Sequence, residues 1–125
     1  MNSGFKDLDV YSISYQTALE IFQISKSFPK EETYALTDQI RRSSRSVCAN
    51  LAEAYRKRIY PKHFISKLTD ADAECSETLV WLDFSLDSGY IDKAAHLELK
   101  NKYDKIGRMI GSMIMKSEKF IPKSN

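Results

Sequence analysis

At 125 residues, 42% of them hydrophobic, the chain has single-domain length and can bury roughly two-thirds of the surface its unfolded form exposes without a disulfide or metal staple. Its 19 Lys/Arg and 17 Asp/Glu nearly cancel, but in blocks: 3 basic and 6 acidic groups in residues 1–40, 8 and 1 in 41–67, none and 7 in 68–92, 8 and 3 in 93–125. The two cysteines lack any zinc-ligand spacing, no stretch approaches the ~18 apolar residues of a membrane span, and the first ten residues hold no signal-peptide run, so a reduced, cytoplasmic protein without metal, cofactor or membrane partner is expected.

Pro29, Pro61, Gly89 and Pro122 fall where breaks divide the chain into helical stretches of similar length. The first spans 7–27, with Leu8, Tyr11, Tyr15, Ala18 and Phe22 on one face, and ends at Phe28-Pro29. The second spans 30–58, with Glu31 and Glu32 in a first turn whose dipole favours acids and Leu36, Ile40, Val47, Leu51 and Ala54 as inner stripe. Pro61 suits the first turn of a third helix over 61–88, with Phe64, Leu68, Ala71, Cys75, Leu79, Leu82 and Leu86 inside and Gly89 as its stop. Asp92 caps a fourth over 92–119, with Leu99, Tyr103, Ile106, Ile110 and Met113 inside, and the tail from about Phe120 is expected to be loose. Four amphipathic helices, each ~25 residues and ~38 Å long, predict an all-α, up-down-up-down antiparallel four-helix bundle, one domain over 1–125.

Two helices carry apolar residues beyond what one core can cover. In the first, Val10, Ile13, Ile21, Ile24 and Phe28 form a stripe about 180° from the inner one. In the third, Val80, Trp81 and Phe84 share an outer face with Asp70, Glu74 and Glu77. A homo-oligomer interface built from Val10, Ile13, Ile21, Ile24, Trp81 and Phe84 would hide this surface; the alternative is a Trp81 covered by a loop or by the tail. Gly107 and Gly111, four apart in the fourth helix, either mark a close helix approach or are simply tolerated.

The second helix turns Arg41, Arg42, Arg45 and Arg56 away from its core stripe, and Lys57, Arg58, Lys62, His63 and Lys67 continue that cationic strip into the third. Guanidinium groups hold phosphate oxygens in a two-pronged way, and Tyr55 and Tyr60 offer stacking faces to unpaired bases. The candidate nucleic-acid-binding residues are therefore Arg41, Arg42, Arg45, Arg56, Lys57, Arg58 and Lys62. Pairing of some of these arginines with the acidic third helix, in the same or a neighbouring subunit, is the competing use.

No catalytic constellation stands out. The residues before His63 and His96 lack the Glu of a di-metal carboxylate bundle, and no metalloprotease helix, phosphate-binding loop or nucleophile elbow occurs. Arg58-x4-His63 resembles the motif of the HEPN helical ribonucleases, but Ile59 and Pro61 depart from that family's polar, helical context. The expectation is a protein that is not an enzyme and has no small-molecule substrate.

The stretch from Gln39 to Ala54, with Gln39-Ile40-Arg41-Arg42 and Asn50-Leu51-Ala52-Glu53, closely resembles the signature of the bacterial 23S rRNA intervening-sequence proteins, also called the S23 ribosomal protein family. Phe5-x-x-Leu8, Phe28-Pro29, Tyr34, Ala71, Glu77 and Gly89-Tyr90-Ile91 extend the likeness over nearly the whole chain. The resemblance implies a small up-down bundle, often a ring and commonly a pentamer, without enzymatic activity. A related branch is similar to the accessory variability proteins of diversity-generating retroelements, basic pentameric barrels that bind nucleic acid; Arg41, Arg42 and Arg45 are the matching positions. Ala54 stands where the family usually has Gly, and Glu74 where Ser is common. Together these readings point to a homo-oligomeric, RNA- or DNA-binding accessory protein, or to an interaction scaffold whose charged faces serve only assembly or a protein partner.

Overall fold

A left-handed glycine, a proline and a capping aspartate set the helix ends. In the computed structural model, which describes residues 4–122, α1 spans Asp9–Ser25, α2 Leu36–Arg56, α3 Pro61–Asp87 and α4 Lys93–Met115, with 3-10 turns at Gly4–Asp7, Lys30–Glu32 and Ser117–Lys119. Gly89, at φ +79°, ends α3: its N–H donates to the Leu86 carbonyl at 3.0 Å, and the Tyr90 N–H reaches back to Ser85 at 2.9 Å. That paired closure satisfies carbonyls a helix end otherwise leaves open. Asp92 caps α4 by accepting the Ala95 N–H at 2.8 Å, and Pro61 occupies the first turn of α3, where a missing N–H costs nothing.

The second helix starts later than its sequence pattern suggests, because Ala35, at φ −124° and ψ −106°, separates the Lys30–Glu32 turn from α2. Glu32 still serves as its cap at a distance, accepting the Leu36 N–H at 3.3 Å and the Tyr90 hydroxyl at 2.9 Å. One carboxylate thereby ties the start of α2 to the α3–α4 turn, where Tyr90 stacks on Phe28 with centroids 5.5 Å apart.

The helices form an all-α four-helix bundle with no strand among the described residues. α2 packs most extensively on α3, α3 on α4, and α1 lies against α2 and α4. The expected stripes of α2 and α4 are buried throughout; in α3, Phe64, Leu68, Ala71, Cys75 and Leu82 are buried, with Leu79 and Leu86 half-buried beside them. Phe120 is not part of a loose tail: its ring packs on Phe64 at 6.0 Å. The last stretch of that expected tail, 123–125, lies outside the described residues.

In the first helix the expected outer stripe turns inward, while the expected inner stripe divides: Ala18 is buried, Leu8 and Tyr11 are half-buried against the core and Phe22 is half-buried. Val10 and Ile21 are only 3% and 0% exposed and Phe28 is buried with them, whereas Tyr15 is 47% exposed. Val10 and Ile21 therefore belong to the core and not to an outer interface, and Ile13 and Ile24 are half-buried against that core. The deciding residues are small: Ser14, Thr17 and Ser25 are buried on the same side and let α1 approach its neighbours closely. Thr17 donates to the Ile13 carbonyl at 2.7 Å and Ser25 to the Phe22 carbonyl at 3.0 Å, so burial leaves these two hydroxyls satisfied.

Neither mid-helix glycine of α4 marks a tight approach within the chain. A Cβ at Gly107 would meet Asp72 at an ordinary 3.8 Å, and one at Gly111 would meet nothing within 4 Å. Gly111→Ala should thus stabilise by about 0.5–1 kcal/mol through helix propensity, while Gly89→Ala should destabilise by about 1–2 kcal/mol because of its positive φ. Thermal melts moving in the same direction for both would contradict these assignments. The inward place of Ile21 on α1 is checked by Ile21→Ala, expected to cost about 2–5 kcal/mol in urea unfolding, against Leu19→Ala, expected to stay within about 0.5 kcal/mol.

Candidate nucleic-acid interface

Once α2 turns Ile40, Val47, Leu51 and Ala54 inward, its 100° residue step places Arg41, Arg45, Ala49, Ala52 and Arg56 along the outside. The structure gives the cations there different surroundings. Arg42 is claimed within the chain: its two terminal nitrogens donate to Glu74 at 2.9 Å and Glu77 at 2.6 Å on α3. The Trp81 indole N–H donates to the same Glu77 oxygen at 3.2 Å. Hydrogen bonding from Arg42 holds the Glu77 carboxyl below its ordinary range, and the two glutamates in turn raise the guanidinium. Arg42 is consequently the least available of the seven candidate phosphate contacts, and the competing use of this arginine is realised inside one chain.

Arg41 and Arg45 gather on α1. Their guanidinium carbons lie 4.7 and 5.5 Å from the centre of the Phe22 ring, which Lys26 approaches at 4.9 Å. The Arg41 Nε also donates to Ser25 Oγ at 2.7 Å. None of these three cations forms an ion pair among the described residues, and Arg41, Arg42 and Arg45 line an open depression of about 600 Å³ with Thr37, Asp38 and Ser46.

Just past the end of α2, Arg58 stacks over the Tyr55 ring at 3.6 Å and donates to the Tyr55 carbonyl at 2.8 Å, so its side chain is held against the last turn of that helix. Arg56, Lys57 and Lys62 are exposed and carry no ion pair among the described residues. Ile59 and Tyr60, 60% and 57% exposed, stand between them at the turn. Lys67 is occupied by Glu53 at 2.7 Å, lowering that carboxyl below its ordinary value. His63 meets Tyr60 edge to face at 6.0 Å in the first turn of α3. Arg58 and His63 thus sit across a helix break, unlike the single-helix setting of the ribonuclease motif.

On the outer face of α3, Val80 and Phe84 are 47% and 55% exposed, and Phe84 packs beside a half-buried Trp81 with centroids 5.9 Å apart. Trp81 borders a shallow hollow of about 280 Å³ lined also by Leu36 and Gln39 of α2 and by Glu32 and Ala35 of the connection before it. Tyr11, Tyr15 and Phe22, which spacing assigned to the core, instead line with Leu19 a groove of about 530 Å³ between α1 and α2, over Ala49 and Ala52.

Among the described residues no group of three or more His, Cys, Asp or Glu is placed to hold a metal ion, and no helix is long and apolar enough to cross a membrane. Both thiols are buried; desolvation pushes Cys48 up to about 11 and Cys75 up to about 12, values that leave almost no thiolate at neutral pH. The Arg42 bridge sets a pH dependence. A carboxyl lowered in the folded state adds stability above its unfolded pKa and loses it as pH falls through the folded value. Arg42→Ala should therefore cost up to about 1 kcal/mol near neutral pH, shrinking toward zero below about pH 4. Equal losses at both pH values in thermal melts would contradict the assignment.

Similarity to other proteins follows the same geometry. The family model described as 23S rRNA-intervening sequence protein matches residues 6–112. The crystal structure of a protein of unknown function from the S23 ribosomal protein family of Bacteroides thetaiotaomicron superimposes with a TM-score of 0.77 at 29% identity, covering 85% of this chain and 95% of that one. No curated protein matches the sequence. With a family model spanning most of the bundle, including the arginine-bearing α2, the chain belongs to the 23S rRNA-intervening sequence protein family.

Proposed function

We propose that this protein is a non-enzymatic, self-associating bundle of the cytoplasm that binds RNA or DNA through the cationic end formed by the α2–α3 turn. The observation that carries the reading is the trio of Arg56, Lys57 and Lys62: exposed, without ion pairs among the described residues, and within four residues of the exposed Tyr60 along the chain. Cations outside any ion pair are the ones most able to release counterions from a phosphate backbone, and an exposed aromatic near them in sequence offers a stacking surface for an unpaired base. The family's name, which refers to an rRNA intervening sequence, makes structured RNA the first probe. Self-association is supported by Val80 and Phe84 on α3 and by Tyr15 and Leu19 on α1, large apolar side chains about half exposed.

A second reading, an interaction scaffold, is favoured by the Arg42 pairs with Glu74 and Glu77, which show that part of the basic block serves packing. The two readings separate in one assay. Fluorescence anisotropy with a structured RNA should give an affinity that falls steeply with salt. Replacing Arg56, Lys57 and Lys62 together by Ala should weaken binding at least about tenfold and flatten the logarithmic salt slope by about 2–3. Arg42→Ala should leave the affinity within about twofold. Salt-independent binding, or a triple variant that binds as well as the parent, would leave the scaffold reading in its place.

A further inference from the structure

We infer that the groove between α1 and α2 binds a single-chain amphiphilic anion, an acyl chain lying along the groove with its carboxylate at Arg41 and Arg45. The two helices make a straight trough because their facing lines differ in size. Tyr11, Tyr15, Leu19 and Phe22 recur four, four and three residues apart, one line of large side chains on α1. Opposite them α2 presents only the small Ala49 and Ala52. The hollow, about 530 Å³, has the size of a small-molecule pocket. Between Tyr11 and Phe22 it runs about 16 Å along the helix axis. At the Tyr11 end Phe5 packs edge to face on that ring, with centroids 5.0 Å apart.

Charge sits at the other end. Arg45 is the one charged residue lining the groove, and Lys26 and Arg41 join it over the Phe22 ring without an ion pair among the described residues. Three like charges gathered on one ring repel one another, and an anion placed among them lowers that cost. Arg41 spends its Nε on Ser25 Oγ at 2.7 Å, which leaves two terminal nitrogens for the fork that a carboxylate accepts. Arg45 and Ala49 also line the open depression that holds Thr37 and Ser46, so a head group there stays hydrated while its chain is covered. Asp38 is the carboxylate of that depression; it pairs with no cation among the described residues, and the three cations outnumber it. A nucleic-acid strand would leave the trough empty, and a neutral chain would leave the cations unmatched. A chain with one anionic end meets both. This site is separate from the α2–α3 turn and stands whether or not that turn binds RNA or DNA.

The test is isothermal titration calorimetry of the full chain with sodium dodecanoate and with dodecyltrimethylammonium, each kept below its micelle concentration. The parent should take up dodecanoate saturably, one per chain, and bind the cationic amphiphile at least about tenfold more weakly. Replacing Arg41 and Arg45 together by Gln should weaken dodecanoate binding at least about tenfold. Ala49→Leu, which fills the trough from an exposed helical position, should weaken it at least about tenfold as well. Circular dichroism checks the variants for helicity; Ala52→Leu replaces Ala49→Leu, and Arg45→Gln alone replaces the pair, if helicity is lost. Equal uptake of the two amphiphiles, or an Ala49→Leu variant that binds dodecanoate as the parent does, would overturn the site. So would a parent that binds no dodecanoate; a multimer whose mass in light scattering falls with Ala49→Leu would then assign the groove to a second copy.

Discussion

Burial of the α2 stripe against α3 is the constraint on which the rest of this molecule depends. Ile40, Val47 and Ala54 are fully buried and Leu51 nearly so, each large side chain among them contributing about 1.5–3 kcal/mol. A helix has a fixed angular step, so committing these residues inward commits Arg41, Arg45 and Arg56 outward. The cationic surface cannot shift independently of the core: a rotation by one residue would drive a guanidinium inward and expose an isoleucine. The α2–α3 seam is fixed further by polar contacts. Thr78 and Ser43 share a buried hydrogen bond of 2.8 Å, and the exposed Arg42 bridge continues the same seam at the surface. Each hydroxyl also reaches a carbonyl of its own helix, Thr78 to Glu74 at 2.9 Å and Ser43 to Ile40 at 3.4 Å, so the pair adds an interhelical contact without leaving a polar group unsatisfied.

How much of this was legible in the sequence differs from helix to helix. The stripes of α2 and α4 were plain because their apolar residues lie on one side and charged residues fill the other. Gly89 and Asp92 were equally readable, since each end of a helix demands a particular residue chemistry. α1 was misread because apolar periodicity weighs only large side chains. Its two sides are both apolar, and the inward one is marked by Ser14, Thr17 and Ser25, residues such a pattern scores as polar. Thr17 and Ser25 hide their polarity in bonds to their own helix, a short-range device that leaves no long-range pattern. Small residues recurring three and four apart beside Val10 and Ile21 were the available signal for close packing. The candidate site was legible as composition but not as partnership. Nothing in the spacing of Arg41, Arg42 and Arg45 foretold that the middle one would reach α3 while its neighbours lay on Phe22, because that choice depends on which helix stands on each side of α2.

The basic block is therefore three sites rather than one surface. Arg42 is neutralised within the chain; Arg41 and Arg45, with Lys26, border an apolar groove; Arg56, Lys57 and Lys62 flank an exposed tyrosine in sequence at a helix turn. Electrostatics alone would not distinguish them, since all are cations on or beside one helix. Their neighbours do. A cation packed on phenyl and alanine faces has already lost part of its hydration, so a carboxylate carried on an apolar chain costs less there than a fully hydrated phosphate strand. A cation at an open turn keeps its water and its freedom, which suits a polyanion whose attraction comes from displaced counterions.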